Sequence, residues 1–69
     1  MNTYFEQIAR NAIREIEQIS TIRGVAREAG IPEVTLRRRL ATGDFQVREL
    51  EALSRALRVD TSELLPTAA

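Results

Sequence analysis

Apolar residues in this chain recur every three or four positions and nowhere alternate, a pattern that favours helices and excludes strands. The first stripe is Phe5, Ile8, Ala9, Ala12, Ile13, Ile16 and Ile19, which predicts an amphipathic helix over about 4–19. Thr3 followed by Glu6 has the spacing of a capping box at its start. Ser20-Thr21 interrupts the stripe and supplies a new N-cap. A short second helix follows, with Ile22, Val25, Ala26 and Ala29 on one side, ending at Gly30, a residue suited to the left-handed position past a helix end. Pro32, with a fixed φ and no N–H, fits the opening of a third helix over about 32–42, which stops at Gly43. After the loop Asp44-Phe45-Gln46, a fourth stripe runs through Val47, Leu50, Leu53, Ala56 and Leu57, with Gln46 and Glu49 as a weak capping box. Asp60 and Glu63 are spaced to cap a final turn carrying Leu64 and Leu65, which Pro66 closes.

These elements predict an all-α chain: a compact bundle of five short helices with brief connections. Sixty-nine residues make about one domain, so 1–69 is read as a single unit with a frayed tail over 66–69. The expected core is Phe5, Ile8, Ile13, Ile16, Val25, Ala26, Leu36, Leu40, Leu50, Leu53, Leu57 and Leu64.

Composition removes several kinds of function. The chain has no cysteine and no histidine, so thiol chemistry, the commonest general base and the usual zinc ligands are all missing. A domain of this size buries only about 60% of its unfolded surface, which leaves no room for a deep, supported catalytic cleft. We therefore expect no enzyme, no cofactor, no metal and no small-molecule ligand. No apolar run approaches the ~18 residues of a membrane span. Residues 1–6 show neither the basic nor the apolar part of a secretory signal, so the expected location is the cytoplasm, with no membrane partner.

Net charge is zero, yet the charge is unevenly spread. Residues 22–42 hold five Arg against two Glu; 1–21 hold two Arg against three Glu, and 43–69 three Arg against five acids. A basic island in an acidic frame attracts phosphates through its local field. Every cation is an arginine, whose planar fork suits bidentate pairing with phosphate or a guanine edge.

The basic island is TIRGVAREAGIPEVTLRRRLATG, residues 21–43. Two helices that cross closely need a small residue at the crossing, and Ala26 holds that place. A sharp turn needs a residue tolerant of positive φ, and Gly30 follows four positions later. Ile31 then plugs the core, and Leu36 with Leu40 anchors the back of the third helix. At 100° per residue, Arg38 lies nearly opposite those leucines, flanked by Val34, Thr35, Arg37 and Ala41. In a DNA major groove a valine suits a thymine methyl, and Arg37 and Arg38 suit guanine O6 and N7, at about 1–3 kcal/mol of discrimination per good bidentate pair. Arg39 sits beside the core seam, its stem packed and its head on an acid such as Glu28 or Asp44. Glu33 has two readings: acceptor from cytosine N4, or partner of Arg37 four residues on. Gly24 inside the second helix either allows close approach to a phosphate or to the first helix, or is simply tolerated at about 1 kcal/mol.

Ala26, Gly30, Ile31, Leu36 and Leu40 together resemble the helix-turn-helix of the Cro/CI-like (XRE) family of repressors. The later stretch VRELEALSRALRVDTSELL, residues 47–65, looks like that family's fourth and fifth helices, so the resemblance covers about residues 5–65. It implies a lambda-repressor-like bundle and a transcriptional repressor of the Cro or bacteriophage immunity-repressor kind, acting on double-stranded operator DNA in a bacterial cytoplasm. The third helix would enter the major groove and the second would cross the backbone. Carried over by position, the implied base readers are Glu33, Val34, Arg37 and Arg38. The implied phosphate contacts are Thr21, Arg23, Arg27 and Thr35, the last at a phosphate or a base edge. The family often has Gln where this chain has Ile22, which removes one phosphate or base contact from the expected set, and usually Gly where it has Arg58; if that position requires a left-handed conformation, an arginine there costs roughly 1 kcal/mol. Dimers in this family suggest a homodimer through the C-terminal region, with Leu64, Leu65 and the end of the fourth helix as its surface; the other reading is a monomer on a short or asymmetric site. The alternative is an antitoxin-like or other protein-interaction module on the same fold. Such modules usually carry an extra clamping segment, whereas only about four residues follow Leu65 here.

Overall fold

A computed structural model describes residues 3–66. They form four α-helices: α1 (Thr3–Ile19), α2 (Ile22–Ala29), α3 (Glu33–Thr42) and α4 (Val47–Leu57). The expected fifth helix is a single 3-10 turn, Thr61–Glu63, and no strand occurs among the described residues. The turn closes through backbone bonds, Glu63 N–H to the Asp60 carbonyl and Leu64 N–H to that of Thr61, both 2.9 Å. The Asp60 side chain makes no capping bond, contrary to its spacing with Glu63. Of the expected frayed tail, 67–69 lie outside the described residues.

Thr21 caps α2 as its position suggested: in extended conformation, its Oγ1 accepts from the Gly24 N–H at 3.0 Å. Gly30 ends α2 at φ 72°, and its neighbour Ile31 donates its N–H to the Ala26 carbonyl at 3.0 Å. Pro32 stands at the N-cap of α3, one residue outside the helix, and offers no side-chain cap. Gly43 ends α3 at φ 79°. α1 already includes Thr3, so Thr3 is not the N-cap that its spacing with Glu6 suggested.

Packing then orients the elements. α1 packs chiefly on α3, and α2 lies against both α3 and α4. The shared core runs from Ile8, Ala12 and Ile16 through Val25, Ala26 and Ile31 to Leu36, Leu40, Leu50, Leu53, Leu57 and Leu64. Two expected core members differ. Phe5 is only partly buried at the core's edge, and Ile13 is exposed. The buried line on α1 follows Ile8, Ala12 and Ile16 at four-residue steps, and Ile13 lies about 100° past it. Small Ala9 and Ala12 take the buried places.

The C-terminal turn is held at two points. Asn11 Nδ2 on α1 donates to the Leu64 carbonyl at 3.2 Å and to that of Leu65 at 3.4 Å. Ser54, buried on α4, has its hydroxyl 3.1 Å from that of Thr61. Leu64 is fully buried, so it is a core residue and cannot be the dimer contact expected of it. Arg58, past the end of α4, adopts φ 61° and ψ 40°, the left-handed conformation for which a glycine is usual at this place in the family the chain resembles.

Candidate nucleic-acid interface

α3 is held from behind. Leu36 is fully buried and Leu40 nearly so, while Val34, Arg37, Arg38 and Ala41 face solvent. Burial of each leucine contributes about 1.5–3 kcal/mol. An exposed i,i+4 ion pair contributes about 0.3–0.5 kcal/mol. The apolar back face, and not the charges in front, therefore decides which way α3 points.

The three consecutive arginines end in three different situations. Arg39 is largely covered; its Nε lies 3.0 Å from Glu49 Oε1 and its Nη2 3.4 Å from Oε2. This corrects the expected partner, Glu28 or Asp44. Glu49 is the third residue of α4, and its Oε1 also accepts the Gln46 N–H at 2.8 Å, which turns the carboxylate back toward the end of α3. Arg39 is thus a bracket between α3 and α4, with its head withdrawn from the outer face. Arg37 lies on the surface, with Nε and Nη2 both 2.9 Å from Glu33 Oε2. Arg38 has no ion pair among the described residues and is exposed.

The remaining candidates extend this surface. Glu33 opens α3, and its Oε1 also lies 3.8 Å from Arg23 Nε on α2, so Arg23, Glu33 and Arg37 form one cluster across the two helices. Sequence spacing did not reveal the Arg23–Glu33 approach, since it depends on how α2 and α3 cross. Val34 is 69% exposed, an isolated apolar side chain beside two guanidinium groups. Thr35 is half-buried and less available than the others. Thr21 is exposed; its hydroxyl oxygen accepts the α2 cap bond, which leaves the O–H proton for another acceptor. Arg27 is exposed and carries no ion pair among the described residues.

Gly24 has a local explanation. A Cβ there would stand 2.7 Å from Ser20 Oγ and 3.3 Å from Thr21 Oγ1, so the bare backbone leaves space for the side chains that start α2. Leu65, the other residue expected at a dimer surface, is half-buried beside a shallow cavity of about 430 Å³ that Tyr4, Phe45 and Val47 also line. No helix among the described residues is long and apolar enough to cross a membrane.

No protein-family model, curated protein or solved structure matches this chain.

Proposed function

We propose that this chain is a sequence-specific double-stranded DNA-binding transcriptional repressor of the Cro or immunity-repressor kind, built on a lambda-repressor-like helix-turn-helix. The observation that carries the reading is the two-sidedness of α3: Leu36 and Leu40 buried behind, Val34, Arg37 and Arg38 exposed in front, on a helix that follows the left-handed Gly30. α3 enters the major groove, where Arg38 pairs with a guanine edge and Val34 meets a thymine methyl. α2 crosses the backbone with Thr21, Arg23 and Arg27 toward phosphates, and Thr35 supports that contact from α3.

A homodimer on half-sites about 34 Å apart is part of the proposal. With Leu64 buried, Leu65 and the C-terminal end of α4 remain of the surface expected for it.

The test is selection of bound duplexes from random-sequence DNA, followed by titration of the selected site and a scrambled control. Arg38→Ala is expected to relax selection at one base pair, at about 1–3 kcal/mol, whereas Arg27→Ala, at a phosphate contact, weakens all sequences alike and lowers the salt slope by about 1. Equal losses on selected and scrambled DNA for Arg38→Ala would remove base reading by α3.

A further inference from the structure

Glu33 is an unexpected residue to find in the middle of a surface meant for a polyanion. It carries a full negative charge at the start of α3, within reach of two arginines of the interface: Arg37 at 2.9 Å and Arg23 at 3.8 Å. All three side chains are accessible, at 36% for Glu33, 58% for Arg37 and 76% for Arg23. The cluster is therefore not a buried structural bracket like Arg39–Glu49. Its cost to open is low, because exposed pairs of this type are weak.

We infer that Glu33 is a specificity gate: it withholds Arg23 and Arg37 from non-cognate phosphates and releases them where a cytosine amino group is present to donate to its carboxylate in their place. The inference rests on the DNA-binding reading above. On random duplex, affinity comes from arginines neutralising phosphates and releasing counterions. A carboxylate between two of those arginines lowers the local field and repels the backbone, so non-specific affinity falls. On a cognate site, the N4 amino group of cytosine donates to the Glu33 carboxylate in the major groove. Arg37 is then free to turn to a guanine edge, and Arg23 to a phosphate. The same charge that penalises random DNA becomes a hydrogen-bond acceptor on the right sequence, which widens the ratio of specific to non-specific binding.

The experiment needs no knowledge of the operator. Binding of the full chain to a labelled random-sequence duplex is followed by fluorescence anisotropy across a salt series, for the wild type, Glu33→Gln, Glu33→Asp, Arg37→Ala and Glu33→Gln/Arg37→Ala. Glu33→Gln keeps the shape and removes the charge. It is expected to bind random duplex about fivefold tighter at low salt, with a slope of log K against log salt steeper by about 0.9 to 1.8, the value of one or two more neutralised phosphates. Glu33→Asp keeps the charge and is expected to stay within about twofold of the wild type. In the Arg37→Ala background the Glu33→Gln gain should shrink, because one of the two released arginines is gone. Melting temperatures within about 4 °C of one another establish that all variants are folded. Selection from random DNA adds a second readout: Glu33→Gln should trade a cytosine preference for adenine, the base a glutamine amide pairs with.

Unchanged affinity and slope for Glu33→Gln, or equal tightening by Glu33→Asp, would overturn the gate while leaving the DNA-binding reading intact. A wild-type chain that shows no salt-dependent association with any duplex would overturn both.

Discussion

The same substitution at two glycines isolates what holds α3 in place. Gly30 and Gly43 end α2 and α3 at nearly the same left-handed φ, 72° and 79°. An alanine at either position therefore meets the same backbone strain, about 1 kcal/mol, and restricts the unfolded chain to the same degree. Their surroundings differ. A Cβ at Gly30 meets nothing within 4 Å. A Cβ at Gly43 would overlap the carbonyl group of Phe5 and stand 3.0 Å from its Cα. Those are backbone atoms of α1, so no side chain can turn aside, and the first turn of α1 must be pushed away from the end of α3. Overpacking of this kind costs about 1–3 kcal/mol beyond the strain. Gly30→Ala should thus lose about 1 kcal/mol and Gly43→Ala about 2–4 kcal/mol. For a domain of this size that is about 4–8 °C against about 10–30 °C in Tm. Thermal and urea unfolding followed by far-ultraviolet circular dichroism measure both, with equal m-values licensing the comparison. Losses within about 0.5 kcal/mol of each other would refute the claim that α1 and α3 meet backbone to backbone at Gly43.

Other consequences are equally direct. Arg58→Gly relieves a left-handed arginine at the end of α4 and should stabilise by about 1 kcal/mol, read as a rise of about 4–8 °C in Tm; a fall would deny the strain. Arg39→Ala breaks the bracket to Glu49 and should lose about 1–2 kcal/mol, whereas Arg38→Ala should stay within about 0.5 kcal/mol in urea unfolding. Equal effects would mean that the two arginines do not differ in role. Gly24→Ala crowds only the tips of Ser20 and Thr21 and gains helix propensity, so its stability should change by less than about 1 kcal/mol. A large loss in the same unfolding assay would show that α2 cannot tolerate even a methyl there.

Helix boundaries were legible because their signals are local. Thr21 capping α2 and Gly30 and Gly43 ending α2 and α3 follow from side-chain and backbone chemistry within a few residues, whereas the left-handed Arg58 was suggested only by the glycine usual at that place in the family the chain resembles. The two-sided α3 was legible for the same reason, since a fixed 100° step converts spacing into direction. Ile13 was misplaced because periodicity shows a stripe but not its width, and only the neighbouring helices decide how much of it is covered. Leu64 and Leu65 look alike in sequence. One is locked into the core by the turn that Asn11 and Ser54 hold, and the other is left at its edge.

The amino-acid sequence alone determined that the chain is helical, where its helices break, and that a valine and two arginines stand opposite a leucine pair on α3. Tertiary structure decided which charges remain available there. Arg39 was withdrawn by Glu49, ten residues away, and Arg37 and Arg23 were joined through Glu33 where α2 meets α3. The reason is range: propensity, capping and periodicity act within one or two turns, whereas an ion pair between elements exists only once apolar burial has brought those elements together.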